Sequence, residues 1–430
     1  MVKKIIQRLL ASAARDAIIA HAPEVIAVTG SVGKTSTRDA IACVLGSAFN
    51  IRTSRKNYNN EFGLPLTILD SESGGKSAKK WLEIIRAGRK LARDRRAPYP
   101  EMLVLEMGID HPGDMDYLVS IARPTRAVLT RLGSSHAEFF PSIADLHKEK
   151  LKLAKALPDD GCFIYNAEDE ALRAAADQSS VPAFGYGFSE TADVQAQNIA
   201  FSFNSSSDRL EPGVSFKLVH DGASVPVFIP GIISRTSVLA ALAGAAVGFS
   251  YGLNSIKIST ALRDFMSPAG RMRLISGIRE SIIIDDTYNA SPESVTAALE
   301  TIADISRDHY ATSWALLGDM LELGNDTVEK HRQTGRDVAA KGIDRLVAVG
   351  KLGRHIGEGA LEAGMESESV TFCTDSREAA HMIAAAVGER DLLFVKGSQG
   401  ARMEHIVKAL MARPEEASNL LVRQGSEWQA

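Results

Sequence analysis

Short apolar runs, each bounded by polar or turn-forming residues, recur along the chain. Val25-Ile26-Ala27-Val28, Met102-Leu103-Val104-Leu105 and Ala127-Val128-Leu129 read as buried strands, with segments of helical periodicity between them. This alternation builds a parallel sheet covered on both faces. From about residue 181 to 230 the texture changes to short alternating segments, such as Val214-Ser215-Phe216-Lys217-Leu218, broken by Gly, Pro, Asn and Ser. An antiparallel β-rich section is predicted there, followed by an alanine-rich helix over 236–249. Ser267-Pro268-Ala269-Gly270 marks a boundary. Beyond it Ile282-Ile283-Ile284, Trp314-Ala315-Leu316-Leu317, Leu346-Val347-Ala348-Val349 and Leu392-Leu393-Phe394-Val395 are strand candidates of a second doubly wound domain.

At the N-terminus Ile5, Leu9, Ala13 and Ala17 fall at helical spacing, which predicts an amphipathic helix over 3–20. Gln7, Arg8, Arg15 and Asp16 interrupt its apolar positions and no small-residue cleavage site follows, unlike a signal peptide. Docking onto the protein's own body is favoured over a membrane-surface role. Residues 76–97 interleave Lys79, Lys80, Arg86, Arg89, Lys90, Arg93, Arg95 and Arg96 with Trp81, Ile84, Ile85 and Leu91. The stretch reads as a solvated helix face, or as an electrostatic guide for an anionic substrate.

The length of 430 residues exceeds what one hydrophobic core usually serves, so two or three domains are expected. We divide the chain into an N-terminal helix (1–24), a central domain (25–268) and a C-terminal domain (269–430). A net charge of −4 argues against general nucleic-acid binding. Cys43, Cys162 and Cys373 lie far apart without paired spacing, which fits a reducing cytoplasm and argues against a disulfide framework or a zinc site. No apolar run approaches the roughly 20 residues that span a bilayer. A monomer is expected.

The strongest chemical signal is Thr29-Gly30-Ser31-Val32-Gly33-Lys34-Thr35-Ser36-Thr37, between a strand and a helix. Gly30 and Gly33 allow a tight turn, so that successive N–H groups face a phosphate at a helix N-terminus. Lys34 supplies a charge for the β- and γ-phosphates, and the Thr35 hydroxyl suits Mg²⁺. The strict pattern would place glycine at position 28, where this chain has Val28.

This run resembles the P-loop of the Mur ligases of bacterial cell-wall synthesis, and the resemblance extends across nearly the whole chain. Asn57-Tyr58-Asn59-Asn60-Glu61-Phe62-Gly63-Leu64-Pro65, Leu105-Glu106-Met107-Gly108 and His111-Pro112-Gly113-Asp114-Met115 look like the MurF type. So do Asp285-Asp286-Thr287-Tyr288-Asn289-Ala290-Ser291-Pro292, Leu317-Gly318-Asp319-Met320-Leu321-Glu322-Leu323-Gly324 and Val395-Lys396-Gly397-Ser398. The resemblance implies an α/β protein: a P-loop central domain with a mostly parallel sheet and a β-rich section, then a Rossmann-like C-terminal domain. It also implies an ATP-dependent amide ligase that adds D-alanyl-D-alanine to UDP-muramoyl-tripeptide, with Mg²⁺.

In that reading Lys34, Glu106, His136 and Lys150 carry the catalysis, with Thr35, Glu106 and His136 as metal ligands and Lys150 bearing a carbamate made from CO₂. Gly30, Ser31, Gly33, Lys34, Thr35, Ser36, Asn60, Arg271 and Asp286 would hold the nucleotide, Arg271 through the phosphates and Asp286 through the ribose. Asn289, Lys396 and Ser398 would face the incoming amino substrate or the reaction centre. The chemistry gives such groups a purpose: a carboxylate is a poor electrophile, and phosphorylation gives it a good leaving group.

Three positions depart from the family. Arg235-Thr236-Ser237-Val238-Leu239-Ala240 stands where a His-Asn pair and a further Asn usually lie near adenine, which puts the adenine contacts in question. Thr130-Arg131 replaces the usual Thr-Asn. Only about 25 residues precede the P-loop strand, where members usually carry a UDP-binding domain. Two further readings therefore stay open: a Mur-like ligase for another acid, such as a polyglutamate or another wall precursor, and a non-catalytic nucleotide-binding partner of wall enzymes.

Overall fold

In the computed structural model, which describes residues 2–54, 58–133, 137–202, 212–425 and 428, the chain opens on a helix, α1 (Val2–His21). Leu10, Ala13, Ala14 and Ala17 are fully buried along one stripe, and the small side chains let α1 lie close to its neighbours. There follow β1 (Glu24–Thr29), α2 (Lys34–Gly46), β2 (Ile51–Thr53), α3 (Gly63–Ile68), α4 (Ala78–Arg93), β3 (Met102–Glu106), α5 (Asp114–Ile121), β4 (Arg126–Leu129), α6 (Ile143–Lys155), β5 (Cys162–Asn166) and α7 (Glu170–Asp177). Helix α1 packs on α3, α4 and α5. The β-rich stretch supplies β6 (Ala183–Gly187), β7 (Val194–Ser202), β8 (Gly213–His220) and β9 (Ala223–Pro230), before α8 (Arg235–Ser250) and α9 (Ser255–Leu262).

The nine strands form one sheet in the order β2-β3-β1-β4-β5-β6-β7-β8-β9. Strands β2 to β6 pair in parallel. Strand β1 has β3 on one side and β4 on the other, so connections leave it in both directions. The crevice beyond its carboxyl end is a topological switch point, where open α/β sheets bind ligands. The antiparallel section expected from about residue 181 starts later than the alternation suggested, because the crossover through α7 returns β6 parallel to β5. Strands β8 and β9 are joined by Asp221-Gly222, both at positive φ (48° and 72°), the left-handed pair that reverses a hairpin in two residues.

The chain divides into two compact units. The first comprises Met1–Ile199, Ser215–Phe228 and Ser237–Phe265; the second comprises Ala200–Val214, Ile229–Thr236 and Met266–Ala430. Within the second lie β10 (Arg273–Ser276), β11 (Ile282–Asp286), α10 (Pro292–His309), β12 (Ser313–Gly318), α11 (Thr327–Ala340), β13 (Arg345–Val349), α12 (Gly353–Glu362), β14 (Val370–Cys373), α13 (Ser376–Ala386), β15 (Leu392–Lys396), α14 (Glu404–Leu410) and α15 (Ala417–Leu420). Their sheet runs β10-β11-β15-β12-β13-β14, parallel except for β10 at the edge.

Alternation assigns this sheet's two faces. Ile284, Ala315, Leu317, Leu346 and Phe394 enter one core, while Ile283, Trp314, Leu316, Val347 and Val395 enter the other. Helix α10 begins at a capping box in which Ser291 and Ser294 satisfy each other's backbone N–H groups, with Pro292 opening the first turn. Among the described residues no helix is long and apolar enough to cross a membrane.

Candidate active site

Three parallel strand ends and one loop build the first part of the site. Strand β1 ends at Thr29, whose hydroxyl donates to the Met107 carbonyl (2.8 Å) and ties β1 to the segment after β3. Gly30 takes φ 145°, and a Cβ there would meet the Thr130 hydroxyl at 2.1 Å, so the loop passes too close to the β4 end for any side chain. Gly33, at φ 85°, caps α2 in the left-handed conformation. The Ser31 N–H donates to the Arg131 carbonyl (2.7 Å), and the Thr130 hydroxyl donates to the Val32 carbonyl (2.6 Å). The Arg131 departure therefore leaves the loop's support intact, because its backbone provides it.

Lys34 folds back over the loop, and its Nζ donates to the Gly30 carbonyl at 2.8 Å. Ser36 lies in the first turn of α2. The Thr35 hydroxyl donates to Glu106 Oε2 (2.9 Å), joining the first turn of α2 to the end of β3. Glu106 is buried, and Asn59 Nδ2 donates to its other oxygen (2.9 Å), with Arg38 Nη1 3.5 Å from Oε2. Thr35, Asn59 and Arg38 thus hold one buried carboxylate at the switch point. Asn60, expected at the nucleotide, accepts the N–H groups of Phe62 (3.2 Å) and Gly63 (3.0 Å) at Oδ1, ahead of α3.

Helix α6 brings Lys150 to the same loop. Its side chain is buried, and Nζ donates to Ser31 Oγ at 2.6 Å; that oxygen also accepts the Gly133 N–H (2.8 Å). The other lysines of this run differ: Lys152 pairs with Asp116 (2.6 Å) and Glu149 (2.7 Å), and Lys148 with Asp145 (3.5 Å). The buried carboxylate of Glu149 accepts the Gly113 and Met115 N–H groups, each at 3.0 Å, which fixes α6 against the start of α5. One turn before Lys150, the His147 Nε2 is buried without a hydrogen-bond partner among the described residues. Burial, with the Lys150 charge behind it, holds that imidazole below its ordinary pKa. His136, expected as a metal ligand, lies outside the described residues.

The second unit gathers the C-terminal candidates separately. Lys396, at the end of β15, donates to Asp286 Oδ2 (2.5 Å) and to the Asn289 carbonyl (2.9 Å). Asp286 Oδ1 accepts the Met272 N–H (3.2 Å). Ser398 Oγ accepts the Leu321 N–H (2.9 Å) and donates to the Ala290 carbonyl (3.4 Å). Arg271, beside Gly270 (φ 69°), lies over the Tyr288 ring at 4.1 Å. The structure therefore brings Asp286, Asn289, Lys396 and Ser398 together.

Below them Asp285 is fully buried, and burial, opposed by hydrogen bonds from Thr287 and Gly270, pushes its carboxyl pKa up to about 6. Three groups escaped sequence reasoning: Asn59, Arg38 and His331. The buried His331 accepts the Met320 N–H at Nε2 (3.0 Å), which leaves Nδ1 to donate to the Thr327 carbonyl (2.6 Å). Only the spacing of His331 from the Gly318-Asp319-Met320 run could have pointed to it.

A loop of backbone donors at the start of a helix, beside a buried carboxylate at a sheet's switch point, is the construction of a P-loop nucleotide-binding enzyme. Comparison with known proteins narrows that class. The Mur ligase middle domain matches residues 28–247, and the Mur ligase glutamate ligase domain matches residues 270–399. The UDP-N-acetylmuramoyl-tripeptide–D-alanyl-D-alanine ligase of Bacillus subtilis is 32% identical over 390 residues, covering 91% of this chain and 76% of its own length. Its Escherichia coli namesake is 28% identical, covering 90% and 76%. Among solved structures, the MurF ligase of Thermotoga maritima in complex with ADP superposes with a TM-score of 0.76 at 23% identity, covering 94% of this chain and 83% of that one. A MurF from Acinetobacter baumannii gives 0.73 at 24% identity, covering 94% and 79%. The chain belongs to the Mur ligase family of ATP-dependent ligases.

Proposed function

We propose that this ligase joins D-alanyl-D-alanine to UDP-N-acetylmuramoyl-tripeptide, activating the tripeptide carboxylate as an acyl phosphate. The observation that carries the chemistry is the buried Glu106, held by Thr35 and Asn59 beside the loop that Lys34 covers. The relatives that bear this activity in their names support the choice of substrates.

In the first step a carboxylate oxygen attacks the γ-phosphorus of ATP, the bond to the β,γ-bridging oxygen breaks, and ADP leaves. In the second the neutral amine attacks the acyl carbon, phosphate departs with the C–O bond pair, and the nitrogen loses a proton as the amide forms. Backbone N–H groups from Val32 to Thr35 and the Lys34 ammonium bind and orient the phosphates, and stabilise charge on the transferring group, while the Ser31 N–H stays with the Arg131 carbonyl. Glu106 and Thr35 present hard oxygens 2.9 Å apart, a donor set that fits Mg²⁺. Bound there, the ion would neutralise phosphate charge.

Lys150 suits a carbamate. Burying an ammonium is costly, whereas a neutral amine can add CO₂ and become an anion beside a cation site, with His136 assigned to the same site. In the second unit Arg271 would reach phosphate, Asp286 the ribose, and Asn289, Lys396 and Ser398 the amine substrate.

Incubation with ATP, Mg²⁺, UDP-muramoyl-tripeptide and D-alanyl-D-alanine should give the pentapeptide with one ADP and one phosphate. No product from this pair, with turnover of another acid and amine, would reject the substrates and leave the ligase class standing.

A further inference from the structure

Between residues 76 and 96 the chain carries nine Lys or Arg and two acidic residues, a local charge of +7 in a protein whose total is −4. Most of this segment is helix α4. Its inner stripe, Trp81, Ile85 and Gly88, is buried against the first unit's core, where the Gly88 hydrogen side lies close to Leu69 and Ala13. The opposite face is set by the same period. Lys79, Leu82, Arg86, Arg89, Lys90 and Arg93 recur at steps of three and four residues and are exposed, Leu82 at 45%. None of these cations is held in an ion pair or a side-chain hydrogen bond among the described residues.

A row of like charges without counter-charges repels itself, and a solvated helix face ordinarily mixes both signs. Here the acids are almost absent from the helix while the rest of the chain is strongly acidic. The cations also surround an exposed leucine rather than polar or aromatic side chains that could read or stack on bases; Trp81 is turned inward. Long Lys and Arg stems can lie along an interface with their charges toward lipid phosphates while Leu82 enters the acyl boundary.

We propose that the outer face of α4 is a docking surface for an anionic phospholipid bilayer, holding the ligase reversibly at the membrane. None of its side chains is among those assigned to nucleotide, metal or substrate, so this inference does not depend on the substrates proposed above. Each basic residue near an anionic leaflet favours binding by about five-fold, so five of them suffice for salt-sensitive attachment without insertion of a helix.

The test is co-sedimentation of the full chain with vesicles of phosphatidylglycerol and phosphatidylcholine, against vesicles of phosphatidylcholine alone. Binding should require the anionic lipid and weaken as salt rises, since the Debye length is only about 8 Å at physiological ionic strength. The triple variant Arg86→Gln, Arg89→Gln, Arg93→Gln should lose roughly 100-fold in vesicle partitioning, with its circular dichroism and phosphate-release rate unchanged. Equal partitioning to neutral vesicles, no binding to anionic ones, or an unaltered triple variant would overturn the proposal. So would tight binding of an RNA homopolymer that anionic vesicles fail to displace, which would assign the face to nucleic acid.

Discussion

The two glycines of the P-loop should tolerate a methyl group very differently. At Gly33 the backbone is left-handed (φ 85°, ψ −1°), but an added Cβ would find no atom closer than the Thr130 Cβ at 4.0 Å. Gly33→Ala therefore carries only the conformational cost of an L-residue in that region, about 1–2 kcal/mol. At Gly30 the conformation is again unfavourable (φ 145°), and the Cβ would lie 2.1 Å from the Thr130 hydroxyl and 3.1 Å from the backbone N and O of Arg131. Relief requires Thr130 to turn away and give up its bond to the Val32 carbonyl, which adds about 1 kcal/mol. The loop's phosphate-binding shape should thus lose about 2–3 kcal/mol in Gly30→Ala, or roughly 30- to 150-fold in ATP affinity, against roughly 5- to 30-fold in Gly33→Ala. Calorimetric titration of both variants with ATP, with Tm recorded to confirm folding, measures the contrast. Gly30→Ala binding ATP within about 3-fold of the native chain, or Gly33→Ala proving the worse of the two, would refute the argument.

Other consequences are as specific. Asn59→Ala removes a donor from the buried Glu106 carboxylate, and a hydrogen bond to a charged group is worth about 1.5–3 kcal/mol, so kcat/KM should fall roughly 10- to 150-fold in a phosphate-release assay. Asn60→Ala should act instead through Tm, by releasing the Phe62 and Gly63 N–H groups ahead of α3. Wild-type enzyme prepared in CO₂-depleted buffer should lose activity that bicarbonate restores, whereas Lys150→Ala should remain inactive with or without it. His331 must stay neutral to accept the Met320 N–H, and burial lowers its pKa below the ordinary 6.5. The unfolded chain therefore takes up the proton first as pH falls, so this contribution is intact above about pH 6.5 and is lost below it, toward the folded pKa. Tm should decline from pH 7 to pH 5, with a shallower slope in His331→Gln.

Much of the fold could be read because the central parallel strands of both sheets are buried on both faces, which writes them as unbroken apolar runs. Val25 to Val28 and Leu392 to Val395 are examples. The P-loop was legible for a different reason: its glycines, lysine and threonine must occur together for the loop to close on a phosphate. What sequence could not settle was direction. Asn59 and Asn60 are the same residue type side by side, and only the folded backbone turns one toward Glu106 and the other toward the start of α3. The run of lysines in α6 looks uniformly wet by composition, yet the helix phase buries Lys150 alone beside Ser31. Nothing in the sequence sets Arg38 apart from other polar positions on a helix, although it is buried against Glu106. Strand β6 lies in the stretch read as antiparallel, and it is the preceding crossover through α7 that makes it parallel to β5.

The central claim concerns the route of one oxygen atom. If the tripeptide carboxylate is activated by phosphoryl transfer, doubly ¹⁸O-labelled carboxylate should deliver one label to the released phosphate and keep one in the new amide, read by mass spectrometry after a single turnover. Phosphate free of label, with both ¹⁸O atoms elsewhere, would mean that no acyl phosphate forms and would contradict the mechanism derived from this site.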